Sequence, residues 1–383
     1  MGIEKKQINS IGLAIFLSAN PLSWILPFNS VIVFICLIGL VILLFNNKIT
    51  NFLNSLLILI CYVIVLFFFS MLDVRIEEER LNLYFTSFLV FGITGVLYSQ
   101  VLIDYRTFFN TILVISILCL PIVYSIDSRN FNSGEEASGF YMGVSYGILR
   151  FLLAIIIIVF LTKKTKKTLF LSLVVGFFYI AFYLKYGTRG ALLSLLLFLL
   201  LLYLLKKDVL NYRVLTLFGF LAFLSLLFFQ EGVLFLDGFL NKNDISIEAV
   251  SKMAYMINSN IELSNGRETL YNYAFQDISQ SPILGLGISS YESRYNIYVH
   301  NFLIQGLYEG GLIMLFLFVG VLLLFFKLIV NNRLPKNDKV FLIYVFCSGI
   351  IELFFSNVLW RSVFFWYFVC LIFMYRKKVN YGY

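Results

Sequence analysis

Charge is scarce in this chain and histidine scarcer still. Of 383 residues 13% are charged, 61% are hydrophobic and a single one is histidine, His300. So little charge excludes a soluble domain of this length, whose surface could not hide that much apolar area. Alternation of apolar and polar residues is missing too, which excludes barrel strands and leaves helices. The five cysteines, Cys36, Cys61, Cys119, Cys347 and Cys370, all fall inside apolar runs without metal-ligand spacing. They read as small packing residues and imply no disulfide. No cleavable leader is evident, because the first apolar run, interrupted at Asn20-Pro21, continues directly into a second.

What is present is a succession of apolar runs of about 20 residues, each long enough to cross a bilayer core of roughly 30 Å. They predict an all-α, polytopic membrane bundle, a single integral-membrane domain over 1–383. Its twelve spans lie near 8–24, 28–45, 52–71, 81–99, 107–126, 141–161, 168–184, 188–205, 213–230, 301–326, 340–356 and 361–375. An even number of spans puts both termini on one side. Most of the 29 basic residues fall in the short loops of that side, including the Lys163–Lys167 region, Lys206, Lys207 and Arg376–Lys378. The opposite short loops hold only Arg75, Arg80, Arg129, Lys185, Arg189 and Arg361. The positive-inside rule then makes both termini cytoplasmic. The net charge of +8 follows from this asymmetry and calls for no nucleic-acid partner.

One connection differs from the rest. Residues 231–300, about 70 long, form a large external loop between the ninth and tenth spans. Within it Leu270, Tyr273, Ala274 and Asp277 recur at helical spacing until Ser281-Pro282. Its aromatic content predicts short amphipathic helices at the membrane interface rather than a disordered tether.

Ionisable groups inside spans are costly and face partners or cavities. Arg150 and Glu309 each lie about nine residues from the outer end of their spans, roughly 13 Å deep. Matched depth and opposite sign predict an ion pair, either fixing helix register or lending charge to an outward cavity. On a straight helix Glu309 faces away from His300, so it is not read as that histidine's partner; Glu352 is a looser candidate for either role. Arg189, in the segment KYGTRGALLSL, opens the eighth span between Gly187 and Gly190. It reads either as a snorkelling side chain or as a guanidinium fork for phosphate oxygens, with Lys185 adding charge.

Three pieces converge on the predicted outer face: Thr188-Arg189-Gly190; then Arg267 followed by Pro282-Ile283-Leu284-Gly285-Leu286-Gly287; and His300-Asn301 followed by Glu309-Gly310-Gly311. In their order and spacing these resemble the O-antigen polymerase and O-antigen ligase family of bacterial membrane glycosyltransferases, over roughly residues 185–325. The resemblance implies a GT-C-type helical bundle in the bacterial cytoplasmic membrane, independent of metal and of any other cofactor. It implies transfer of a glycan from a polyprenyl diphosphate carrier to an acceptor hydroxyl at the outer face. Partners of the same pathway, a flippase and a chain-length regulator, are implied with it.

The residue types suit that chemistry. A departing diphosphate gains negative charge, which cations stabilise; Arg189 and Arg267 are the first candidates, Arg294 and Lys185 the next. The external loop has no Asp-x-Asp pair of the kind that holds a metal on a diphosphate. His300, at the aqueous end of a span, suits a general base for the acceptor hydroxyl. Its other reading is a histidine that anchors the interface or caps a helix. Direct attack inverts the anomeric carbon. Asn301 is expected to position sugar or loop, and Arg150 and Glu309 to support the site from below. Polymerisation of surface polysaccharide such as O-antigen or capsule is the preferred reading. A ligase that transfers glycan to lipid A core is the first alternative. A flippase or secondary transporter is the second, disfavoured because residues 1–190 and 191–383 show no internal repeat.

Overall fold

The computed structural model of the protein describes residues 2–23, 31–47, 70, 77–127, 135–161, 165–186, 188–207, 213, 229–243, 248–258 and 267–381. Among these residues every regular element is helical. The spans expected over 52–71 and 213–230 lie almost entirely outside them.

Apolar sequence runs set the helices, and the polar breaks between them set the ends. In order they are α1 (Gly2–Leu17), α2 (Ala19–Ser23), α3 (Val31–Asn46), α4 (Glu78–Ser99), α5 (Tyr105–Asp127), α6 (Glu135–Leu161), α7 (Lys166–Tyr186) and α8 (Arg189–Lys206). Four shorter helices follow: α9 (Phe229–Lys242), α10 (Glu248–Asn258), α11 (Arg267–Ile278) and α12 (Ser290–Tyr295). The last three long helices are α13 (Phe302–Val330), α14 (336–355) and α15 (Val363–Tyr381). A π-helical turn interrupts α14 over Phe346–Ile350, and another interrupts α4 over Phe88–Gly92.

Five described helices are long and apolar enough to cross a membrane: Glu78–Ser99, Tyr105–Ser125, Met142–Phe160, Lys166–Tyr183 and Phe302–Val330. Ile32–Asn46 and Gly190–Lys206 are apolar but shorter. Large side chains such as Phe170, Phe177, Leu196, Phe316 and Leu323 lie exposed along α7, α8 and α13. Exposed apolar faces on this scale suit lipid rather than water. The described residues therefore form a helical membrane protein.

α14 is the centre of the bundle. Residues 338–353 are all buried, enclosed by α6, α8, α13 and α15. Ring contacts lock it to its neighbours: Phe108 and Phe109 of α5 meet Phe341 and Tyr344 edge-on, and Phe325 of α13 stacks on Phe346. Close packing of this kind, rather than hydrophobic burial, holds helices together in lipid.

Polar contacts mark two opposite ends. At one, Tyr105 bonds Asp338 and Tyr375, and Lys378 pairs with Asp338 at 2.7 Å. The same end joins Asp104 to Ser10 and Asn46 to Asn9. At the other, Arg80 at the start of α4 donates to the Glu292 carbonyl and to Asn296 of the 231–300 segment. That end also gathers the starts of α8, α13 and α15 with the finish of α14, and it carries the site.

Candidate functional site

The site is built on a break in α13. Gly311 has φ 63° and ψ −161°, which interrupts the helix after its third turn. The break frees backbone groups, and the preceding loop takes them: Leu312 donates to the Pro282 carbonyl at 2.9 Å, while Leu286 and Gly287 donate to Tyr308 and Glu309 at 2.8 and 3.0 Å. The approach is close enough to require glycine on both sides. A Cβ on Gly285 (φ 76°) would lie 2.5 Å from the Glu309 carbonyl, and one on Gly311 would run into the carbonyl of Ile283. The P-x-x-G-x-G and E-G-G segments are thus two halves of one lock.

Glu309 seals that lock from inside. Its carboxylate accepts from the Ser289 amide and Gln305 Nε2, each at 3.1 Å, and from Trp360 Nε1 at 2.6 Å. The ion pair expected between Glu309 and Arg150 does not form. Arg150 instead bonds Glu352 at 2.6 Å and the Ser348 carbonyl at 3.1 Å, with its guanidinium over the Phe364 ring. Depth alone could not separate the two glutamates. The azimuth of α14 decided for Glu352, and neutral donors already satisfy Glu309.

Beyond the lock the chain turns through three non-glycine residues with left-handed backbone: Ser289, Asn296 and His300. Asn357 is the fourth in the described residues. Such conformations are uncommon, and they concentrate where geometry serves function. Next to His300, Asn301 caps α13 by accepting from the Leu303 and Ile304 amides at 3.0 and 3.3 Å.

His300 is half-buried, its ring 3.9 Å from that of Tyr298. Its Nδ1 is buried without a hydrogen-bond partner. Burial, and then the positive charge of Arg267, bring its pKa down to about 4. The imidazole is therefore neutral at physiological pH.

Arg267 opens α11 and donates to the Phe355 carbonyl at 2.7 Å. The Phe355 ring lies against Gly190 in the first turn of α8, where an added Cβ would meet it at 2.8 Å. The space beside Gly190 is thus filled by Phe355 and by the Tyr146 hydroxyl. Thr188 precedes the same turn without a side-chain cap bond, its amide held by Ser145 Oγ at 2.9 Å. The start of α8 and Arg267 accordingly meet at Phe355, and His300 lies against Tyr298, whose hydroxyl is 3.4 Å from Ser356 Oγ. Gly187 and the side chains of Lys185 and Arg189 lie outside the described residues.

Arg294 is placed differently from its expected role. Its guanidinium pairs with Asp277 at 2.6 Å, and Asp277 also accepts from Tyr295 and Tyr308 at 2.8 Å. The group ties α11, α12 and α13 into a small second core that includes Ala274, Ile278 and Tyr291. Sequence reasoning missed the role of 355–357, since a carbonyl acceptor has no residue signature; only the isolated Asn357 hints at a left-handed turn.

An all-helical membrane protein with an arginine and a neutral histidine at one end of its bundle defines the class. A family model described as O-Antigen ligase matches residues 184–319, which hold all three motif segments. Over that stretch the chain is similar to the O-antigen ligase family. No curated protein matches it.

Proposed function

We propose that the protein polymerises glycan repeat units carried on polyprenyl diphosphate, at the outer face of the bacterial cytoplasmic membrane. The carrying observation is the meeting of Arg267 and His300 beside the first turn of α8. In this reading Arg267 and Arg189, with Lys185, hold the diphosphate of the donor glycan. Negative charge grows on that group as the glycosidic bond breaks, and guanidinium forks stabilise it where it develops. His300 takes the proton of the acceptor hydroxyl as its oxygen attacks the anomeric carbon, and the diphosphate leaves from the opposite side. The configuration inverts and no metal is needed.

His300 is deprotonated at neutral pH, as a base must be, while burial and Arg267 make it a weaker base than a free histidine. Its proximity to Arg267 gives a further coupling. A bound diphosphate offsets the arginine's charge and so raises the basicity of the ring. Both termini are assigned to the cytoplasm, the 231–300 segment to the outside, and α9 and α10 to the outer interface, where Phe235 and Tyr255 are exposed. A flippase that delivers the repeat units and a regulator of chain length would act beside it.

Complementation tests this reading. In a strain lacking the gene, the wild-type chain should restore a ladder of surface glycan. His300→Ala and Arg267→Ala at normal membrane level should leave single repeat units. Loss of core-linked glycan without loss of chain length would shift the assignment to a ligase. Repeat units trapped on the inner leaflet would shift it to a flippase.

A further inference from the structure

The segment that gathers the site, 355–357, lies outside the matched family region, so its placement must come from elsewhere in the fold. Phe355 is the last residue of α14; the helix stops because Ser356 is extended, with φ −165° and ψ 174°. The final carbonyls of a helix lack intrahelical donors and carry the negative end of its dipole. The Phe355 carbonyl is one of these, and Arg267 takes it.

Two residues beyond that carbonyl begins a polar chain running down into the bundle. Asn357, at φ 70°, turns its side chain back: its Nδ2 donates to Glu352 Oε1 at 3.3 Å, and its Oδ1 accepts from the Val358 amide at 2.8 Å. Glu352 in turn accepts from Arg150 at 2.6 Å, both side chains being buried. Arg150 is braced on the Ser348 carbonyl, which lies in the π turn of α14. The widened turn leaves carbonyls for side chains of neighbouring helices; Ser194 of α8 takes that of Cys347 at 2.5 Å. A buried ion pair in a membrane core is a costly way to fix register alone.

We infer that Glu352 and Asn357 are positioning residues, which fix the Phe355 carbonyl and through it set Arg267 at the reacting diphosphate. This rests on the reading of Arg267 as a diphosphate ligand. Neither residue touches substrate. Their effect should therefore vanish when Arg267 can no longer make its fork.

The experiment is a double-mutant cycle on the full chain in lipid vesicles. The probe is lipid-linked repeat units extracted from the source strain deleted for this gene, and the readout is release of polyprenyl diphosphate. Asn357→Gly keeps the left-handed backbone and removes only the side-chain bonds, so it folds even if Glu352 variants do not. It should lower kcat about tenfold with KM nearly unchanged, and cost less than about twofold more in the Arg267→Lys background, as coupled sites do. An equal fall in both backgrounds, or no fall in the wild type, overturns the inference. If Arg267→Lys alone keeps the wild-type rate, the diphosphate reading fails and the inference with it. If Arg267→Lys is crippled while Asn357→Gly is not, only the positioning claim fails.

Discussion

Replacing Gly311 with alanine places a methyl group inside the backbone of the docked loop. The new carbon would lie 2.7 Å from the Gly285 nitrogen and closer still to the Ile283 carbonyl. Both obstacles are main chain, so no side chain can rotate away. The left-handed φ of 63° adds a penalty that glycine does not bear. The simplest relief is for the loop to leave, which gives up the bonds Leu312–Pro282, Leu286–Tyr308 and Gly287–Glu309. At about 1 kcal/mol for each bond the cost is about 3 kcal/mol, about a hundredfold in the population of the docked loop. The chain from Ser289 to His300 hangs from that loop, so transfer should fall at least about as much. Gly320 in the same helix is the control. A Cβ there meets nothing within 4 Å, so Gly320→Ala should keep full rate and gain up to about 1 kcal/mol of helix stability. The assay is rate together with hydrogen exchange at the amides of residues 286, 287 and 312. Wild-type protection and wild-type rate in Gly311→Ala would refute the lock.

Three further outcomes are expected. Because a protonated imidazole cannot accept a proton and His300 titrates near 4, kcat/KM should stay level from pH 8 to about 5 and fall toward about 4; a limb at the ordinary histidine value near 6.5 would contradict the burial argument. Arg150→Met leaves Glu352 buried without its cation and should cost about 3–5 kcal/mol, read as a lower Tm in detergent and recovered in large part by adding Glu352→Met. Arg294→Ala should change the rate less than about fivefold, because the half-exposed guanidinium braces Asp277 and pairs of that kind contribute about 1 kcal/mol or less; a collapse in donor affinity would restore it as a diphosphate ligand.

How much of this could be seen in the sequence differs from one residue to the next. The apolar runs gave the long helices because length and hydropathy are local properties. The motif segments were visible too, and the structure gives them physical content: Gly285 and Gly311 are needed where two backbones meet, and Asn301 where a helix needs a cap. The partner of Arg150 was misjudged because depth along a helix says nothing of its rotation. Two glutamates stood near the same depth, and the π turn at Phe346–Ile350 was hidden. Arg294 looked free for a ligand because Asp277, its partner, sits on another helix 17 residues away. The convergence on Phe355 was out of reach, since every residue offers a carbonyl and only the fold selects one.

The most direct measurement uses the purified full chain in sealed vesicles with no ion gradient and the lipid-linked repeat units as the sole glycan. Glycan length and free polyprenyl diphosphate are followed together. The expected result is a ladder of lengthened glycan with one carrier diphosphate released for each bond formed, both abolished by His300→Ala. Repeat units that cross the bilayer unchanged, or a ladder that survives His300→Ala, would contradict the account.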